Sequence, residues 1–196
     1  MKINIDKNSL PSRNQITHVL NYLGDVLKIG EKWIVGGSTA SFLQGVNIIP
    51  RDIDILTTKK GAFEIEKKLQ KYVKKSVKLE KTKKYVSYFG KLKIQDIYVE
   101  ICGELYIIYR GRAFPFYPPF IKEKEIYRDG KKLLTVSLEN QLWINLLEDK
   151  EERAKLIAKY LKKTGFDRDY MKRIMSNSTI PSEIKLKVKS LLKSKW

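Results

Sequence analysis

The short segment Arg51-Asp52-Ile53-Asp54-Ile55 constrains the fold more than any other part of the chain, because acidic and apolar residues alternate in it. Side chains on a β-strand point in turn to opposite faces of the sheet, so this alternation predicts a half-buried strand. Ile53 and Ile55 are expected to face the core. Asp52 and Asp54 then point together in the other direction, which brings two carboxylates close to each other.

Two neighbouring carboxylates raise each other's pKa, because their negative charges repel. A divalent cation between Asp52 and Asp54 would relieve that repulsion, and carboxylate oxygens are the ligands that Mg²⁺ prefers. The competing interpretation is an ordinary surface strand, in which Arg51 forms an ion pair beside the acids. A glycine-rich turn upstream of the strand favours the metal site.

This turn, Gly36-Gly37-Ser38, lies between a short apolar run at 33–35 and a helical pattern that follows it. Glycine lets the backbone come close to a phosphate, and the free N–H groups at the start of a helix attract negative charge. The Ser38 hydroxyl can donate a further hydrogen bond. The turn therefore predicts a phosphate-binding site, although a Gly-Gly turn alone is most often just a turn.

A third acid is expected from a neighbouring strand. Glu100 lies between Val99 and Ile101, which repeats the apolar-acid-apolar pattern around Asp54. Asp96 would share the face of Glu100 by strand parity, and Glu104 follows the presumed turn at Gly103. Glu100 is the preferred third acid, and Asp96 is the next candidate.

The other segments predict an α+β fold, with a mixed sheet flanked by helices and a C-terminal helical part. The capping-box pattern Ser12 to Gln15 begins a helix that ends at Gly30, and a basic amphipathic helix covers 61–75. The β-rich segments are 77–79, 85–89, 94–102 and 105–109, with turns at Gly90 and Gly103, then an irregular loop at 111–120 and a hairpin around Asp129-Gly130. We expect two regions, a main domain at 1–136 and helices at 137–196, broken at Gly165 and Pro181.

The composition narrows the chemistry further. One cysteine, Cys102, excludes an intrachain disulfide, and one histidine, His18, argues against a zinc enzyme. No apolar stretch approaches the roughly 18 residues that a membrane span needs. The N-terminal residues have no apolar signal core, so a cytoplasmic location and no membrane partner are expected.

The formal net charge of +18 favours contact with polyanions such as nucleic acid or nucleotide phosphates. Lysines crowd residues 59–84, with Tyr72, Tyr85 and Tyr88 between them. This segment would suit a nucleic-acid path with rings for stacking, or it is a solvated surface. The sequence leaves both interpretations open, and the aromatic loop at 114–120 could line a pocket, mediate oligomer contacts or cover the sheet.

The runs GGSTASFLQG, RDIDI, YVEICG and TVSLENQLWINLL together resemble the nucleotidyltransferase-fold superfamily, over roughly residues 31–160. That superfamily includes DNA polymerase β, the tRNA CCA-adding enzymes, antibiotic nucleotidyltransferases and minimal nucleotidyltransferases, some of them in toxin–antitoxin systems. The turn together with the Asp-x-Asp pair is a moderately specific motif. The third acid and the later strand-to-helix step strengthen the resemblance.

The resemblance implies a role for each matching residue. Asp52 and Asp54 would bind two Mg²⁺ ions, and Glu100 would help to bind the catalytic metal and accept the proton of the attacking hydroxyl. The nucleotide-binding set would be Gly36, Gly37, Ser38 and Arg51, with a nucleoside triphosphate such as ATP as substrate. The acceptor oxygen would attack the α-phosphate in line, and pyrophosphate would leave.

One position departs from the family pattern. Many relatives carry a lysine on the helix after the "SLE" step, where this chain has Asn145, and Lys150, Arg153 or Lys155 could supply that charge. The predicted activity is nucleotidyl transfer to an acceptor hydroxyl, with RNA or a tRNA end favoured over a small molecule or a protein. The alternative is a non-catalytic nucleic-acid-binding or toxin–antitoxin protein on the same fold. The sequence leaves the base and the oligomeric state open.

Overall fold

The computed structural model of the protein describes residues 11–27, 30 and 32–193. The helices are α1 (Arg13–Val26), α2 (Gly37–Leu43), α3 (Lys59–Lys68), α4 (Leu138–Leu147), α5 (Glu151–Thr164), α6 (Arg168–Ser176) and α7 (Ser182–Leu192), with one 3-10 turn at Gln70–Tyr72. The strands are β1 (Trp33–Val35), β2 (Ile53–Thr57), β3 (Val73–Lys81), β4 (Tyr85–Ile94), β5 (Ile97–Tyr109), β6 (Arg112–Pro115), β7 (Glu123–Arg128) and β8 (Lys131–Val136).

The strands form one mixed sheet in the order β3-β4-β5-β2-β1-β8-β7, and β6 pairs with the end of β5. The parallel pairs are β2 with β5 and β1 with β8, whereas the hairpin neighbours are antiparallel. In the β2–β5 pair, Asp54 lies opposite Glu100. Ile53 and Ile55 are fully buried, as their alternation predicts. The mixed sheet flanked by helices confirms the predicted α+β class.

The first helix begins where its capping box predicts. The Ser12 hydroxyl accepts from the Gln15 N–H, and the Gln15 side chain accepts from the Ser12 N–H, so two backbone donors are satisfied at the helix start. The predicted end at Gly30 is wrong, because the last helical residue is Val26 and Leu27 is the C-cap. Gly30 therefore lies beyond the helix.

The predicted turns at Gly90 and Gly103 are wrong, because both residues lie inside long strands. These glycines are needed for close packing: a Cβ on Gly90 would meet Val77 at 2.6 Å, and one on Gly103 would meet Ala62 at 2.8 Å. The real turn between β4 and β5 is at residues 95–96, which both have a positive φ. A two-residue hairpin turn of this kind matches the twist of the strands.

Two further boundaries differ from the prediction. The basic helix covers Lys59–Lys68 instead of 61–75, because Thr58 caps it by accepting from the Gly61 N–H, and the chain enters β3 at Val73. The predicted loop at 111–120 contains strand β6, which pairs with β5. Phe114, Phe116 and Tyr117 of the predicted loop are buried, whereas Phe120 is exposed.

The chain after β8 is helical, with breaks at Gly165 and Pro181 as predicted, and also around residues 148–150. All ten residues of α4 are buried, so this helix is enclosed by the rest of the protein. Ile184, Val188 and Leu192 on α7 are buried, so this helix packs on the rest of the protein. In the part of the chain that the structure describes, no helix is both long and apolar enough to cross a membrane.

Candidate active site

Five of the predicted site residues line one cavity of about 420 Å³: Gly37, Ser38, Asp52, Asp54 and Glu100. The acids lie at the neighbouring strands β2 and β5, and the glycine-rich turn stands at the start of α2. Residues of β4, α4 and α5 complete the walls. The fold therefore brings together residues that lie as far apart in the sequence as Gly37 and Glu100.

The glycine-rich turn lies directly against the acidic strand. Gly37 has a φ of +55°, and a Cβ at this position would lie 1.7 Å from Asp54 Oδ2, so only glycine fits here. The Gly36 N–H donates to the Asp54 carbonyl oxygen at 2.8 Å, and the Thr39 hydroxyl donates to the Asp52 carbonyl oxygen at 2.6 Å. These two hydrogen bonds hold both aspartates in place from their backbone. Sequence reasoning did not identify Thr39.

The acids perturb each other's protonation. Burial raises the pKa of Asp54 to about 7, and the charges of Asp52 and Glu100 add to that effect. The pKa of Asp52 is raised by burial and by Glu100, against the opposing influence of Lys91, Arg153 and Lys150. Ionising both carboxyls in this place costs free energy, and a bound cation would lower that cost.

The carboxylate oxygens suit a hard divalent cation, although they do not form a complete set of metal ligands in this structure. Within residues 11–27, 30 and 32–193, no group of three or more acidic, histidine or cysteine side chains is placed to hold a metal ion. The Glu100 carboxylate instead forms an ion pair with the Lys91 ammonium at 2.6 Å. Asp52 and Asp54 therefore fit Mg²⁺ by donor chemistry, and Glu100 would join them when it leaves Lys91.

The alternative acids and one predicted nucleotide contact lie elsewhere. Asp96 is exposed in the β4–β5 turn, where Lys93 binds it at 2.8 Å, and Glu104 lies at an irregular point of β5 with a φ of +49°. Neither lines the cavity. Arg51 is exposed just before β2 and is also outside the cavity lining, whereas Gly36 is buried behind the turn.

Two of the three candidate cations reach the cavity. Lys150 and Arg153 line it, and both lower the pKa of Asp52 through their charge. Lys155 is exposed and bonds Glu152 on its own helix at 2.5 Å, so it does not contribute. Asn145 also lines the cavity.

Further cavity residues could not be found from local motifs. The Tyr85 hydroxyl donates to Glu148 Oε1 at 2.7 Å, and burial, followed by the charge of Glu148, raises the pKa of Tyr85. Tyr85, Ser87 and Phe89 are every second residue of β4, and all three line the cavity. Strand geometry predicts that such residues share one face of the sheet. The sequence does not show which face of the sheet these residues point to, because that depends on the strands and helices that pack beside β4 in the fold.

No protein-family model matches the chain, and no curated protein does so either. Among solved structures, TM1012 from Thermotoga maritima, assigned as a nucleotidyltransferase, is 32% identical, with a TM-score of 0.66 over 79% of this chain and 97% of that one. ANT(2″)-Ia, solved in complex with adenylyl-2″-tobramycin, is 15% identical, with a TM-score of 0.54 over 90% of this chain and 98% of that one. The second likeness shows the shared fold alone.

The fold and the cavity thus define a nucleotidyltransferase type of protein. The identity and coverage shared with the Thermotoga protein show that the chain belongs to the nucleotidyltransferase-fold superfamily. Membership confirms the resemblance found in the sequence.

Proposed function

We propose that this protein is a Mg²⁺-dependent enzyme that transfers a nucleoside monophosphate from a nucleoside triphosphate to an acceptor hydroxyl. One observation carries the proposal: the β2–β5 register sets Asp54 opposite Glu100, directly against the backbone of Gly37 and inside one cavity. A plain surface strand with an Arg51 ion pair would not need such an arrangement.

In this proposal Asp52, Asp54 and Glu100 hold the metal. Bound Mg²⁺ supplies positive charge that stabilises the entering and leaving oxygens of the transfer. The protein's part is to keep Asp52 and Asp54 in place through Thr39 and Gly36, whose hydrogen bonds fix their backbone. Lys91 keeps the Glu100 carboxylate paired until substrate and metal compete for it.

The triphosphate is proposed to lie between the glycine-rich turn and the cavity cations. Gly37 offers backbone without a side chain in the way, and the Ser38 hydroxyl faces the same cavity. Lys150 and Arg153, which lie late in the sequence, line the same cavity and supply positive charge to the phosphates. A contact from Arg51 stays a prediction, and Gly36 is proposed to act through its bond to Asp54.

The reaction itself forms one bond and breaks another at the α-phosphorus. The acceptor oxygen bonds to the α-phosphorus, its proton passes to the Glu100 carboxylate, and the bond to the β-phosphate oxygen breaks to release pyrophosphate. The C-terminal helices at 137–196 supply α4 and the start of α5 to this cavity. We therefore propose that they complete the site of the catalytic region at 1–136.

The proposed acceptor is RNA, including a tRNA end, because a net charge of +18 attracts polyanions. A small-molecule hydroxyl is the second candidate. It is favoured by the excess of acidic over basic side chains among the residues that line the cavity, which disfavours a phosphate backbone there. A cytoplasmic location stays a prediction.

The deciding experiment incubates the protein with α-³²P-labelled NTPs, Mg²⁺ and either total RNA or a set of small hydroxyl compounds. Wild type is expected to transfer label, and Asp54→Asn is expected to transfer none. Asp96→Asn is the matched control, because it removes an acid outside the cavity, and it should keep full activity. Equal RNA binding by wild type and Asp54→Asn, with no transfer to any acceptor, would instead support the non-catalytic binding protein.

A further inference from the structure

Two buried amide side chains on α4 have hydrogen-bonding groups that the folded chain does not use. Because this helix is buried along its whole length, each polar side chain on it needs a partner. Asn140 meets this requirement, since its Oδ1 accepts from the Trp143 indole N–H and from the Tyr170 hydroxyl. Gln141 and Asn145, one helical turn apart, meet it only in part.

Gln141 and Asn145 both line the cavity, and each is only 1% exposed. Asn145 Nδ2 donates to the Gln141 backbone carbonyl at 2.6 Å and to Gln141 Oε1 at 3.4 Å. A carbonyl oxygen can only accept, so the nitrogen of Asn145 must face it. In the described part of the chain, Asn145 Oδ1 and Gln141 Nε2 have no hydrogen-bond partner.

The pair thus leaves one acceptor and one donor unpaired in the wall of the cavity, each with almost no accessible surface of its own. A phosphate offers only acceptors and would leave Asn145 Oδ1 unsatisfied, whereas an ammonium group offers only donors and would leave Gln141 Nε2 unsatisfied. The Watson–Crick edge of a nucleobase carries a donor beside an acceptor and can satisfy both. The need for both a donor and an acceptor therefore favours the base over the charged groups as the ligand of the amide pair.

Other walls of the cavity suit a flat, largely apolar ring. Ile144 precedes Asn145 on the same helix, and Phe89, Leu105 and Phe116 line the same cavity. Aromatic side chains stack on bases of every kind, because each base has a π-face. A base held among these residues would use its edge for the amides and its faces for the rings.

We propose that Gln141 and Asn145 are specificity-determining residues that bind the nucleobase of the nucleoside triphosphate. The inference rests on the proposed function, in that the same cavity holds the triphosphate. The inference goes further by naming the base as the part of the substrate that α4 recognises. Neither residue takes part in the transfer of the nucleotidyl group.

The test measures equilibrium binding by calorimetry, with Mg²⁺, of the four NTPs and of ribose 5-triphosphate, which lacks a base. In Gln141→Leu and Asn145→Leu, the affinity for the preferred NTP should fall about 5- to 150-fold, the range that one pair of base hydrogen bonds supplies. Affinity for ribose 5-triphosphate should stay within about twofold, since it makes no bond to the pair.

Ser41→Ala is the matched control, because Ser41 Oγ is also buried without a partner but does not line the cavity. This variant should bind every ligand as wild type does. Gln141→Met keeps the side-chain length, adds no charge and removes the free donor, so it gives the same test if a leucine variant does not fold.

Equal weakening of the preferred NTP and of ribose 5-triphosphate would overturn the inference, because the pair would then hold sugar or phosphate. Unchanged binding of every ligand in the variants would overturn it as well. Base selectivity in binding does not require turnover. A wild-type protein that discriminates between bases but transfers no nucleotide would refute the proposed function and leave this inference standing.

Discussion

The Asp54 carboxyl carries an electrostatic cost that the fold imposes on it. Burial and the neighbouring acids raise its pKa to about 7, whereas the ordinary value is 3.8. The folded protein therefore holds this proton more tightly than the unfolded chain does. The resulting stabilisation is complete below pH 3.8 and is lost as the pH rises through about 7.

Asp54→Asn removes this titration, so its effect on stability should depend on pH. We expect the variant and wild type to have similar free energies of unfolding near pH 4. Above pH 7 the variant should be more stable by on the order of 4 kcal/mol. Urea unfolding between pH 4 and pH 8, with a chelator present, measures this difference, and Asp96→Asn should show no such gain. A constant difference across that range would contradict the raised pKa.

Gly37 is expected to tolerate no side chain. Gly37→Ala should lower the free energy of unfolding by roughly 2–5 kcal/mol, because the new Cβ would overlap the Asp54 carboxylate as well as strain the backbone. Gly111→Ala is the matched control, since Gly111 also has a positive φ but nothing lies within 4 Å of its Cβ position. Its cost should be only roughly 1–2 kcal/mol. Equal losses in urea unfolding would mean that the contact with Asp54 is unimportant.

At this residue scale, the sequence predicted the side chains whose pattern is local. Asp52 and Asp54 alternate with apolar neighbours, so strand geometry alone gives these two a shared direction, and the same local pattern made Glu100 the preferred third acid. Gln141 and Glu148 could not be found in this way, because they belong to the cavity only after α4 packs across the sheet. Their positions depend on tertiary contacts that leave no short motif.

Among the elements, the start of α5 supplies two cations to the cavity wall, Lys150 at the N-cap and Arg153 in the first turn. Lys150→Ala and Arg153→Ala should each raise the KM for the NTP roughly tenfold to hundredfold, the usual effect of losing one charge-assisted hydrogen bond to phosphate. Lys155→Ala is the control on the same helix, because Lys155 bonds Glu152 outside the cavity. Steady-state kinetics at fixed Mg²⁺ would show whether all three variants behave alike, which would exclude this role for α5.

Elements with strong local chemistry were predictable, whereas elements shaped by their neighbours were not. The capping box of α1 and the Asp129-Gly130 hairpin act within a few residues, and both are present in the structure. Gly90 and Gly103 were misinterpreted as turns, since a glycine that marks a turn and one that permits close packing look the same in sequence. The parallel pairing of β2 with β5 joins segments more than 40 residues apart, so no local pattern could reveal it.

For the whole molecule, the sheet separates the basic α3 from the site. Gly103 faces α3, with Ala62 and the Thr58 carbonyl against it, whereas the adjacent Cys102 lines the cavity. Successive residues of a strand point to opposite faces, so α3 and its lysines lie behind the sheet. An RNA that used this helix as well as the site would have to pass around the edge of the protein. The net charge of +18 and the acidic cavity thus act on different parts of a ligand.

This separation makes salt dependence a test of the acceptor. If RNA is the acceptor and about six phosphates are neutralised, the kcat/KM for RNA should fall by about 10³ between about 50 and 200 mM KCl, because condensed counterions are released on binding. A small hydroxyl acceptor contacts only the cavity, and its kcat/KM should change by less than about tenfold at saturating NTP. Label transfer to both kinds of acceptor across this salt range distinguishes them. A shallow salt response with RNA as the better substrate would show that the surface charge does not guide the acceptor, and that the cavity alone selects it.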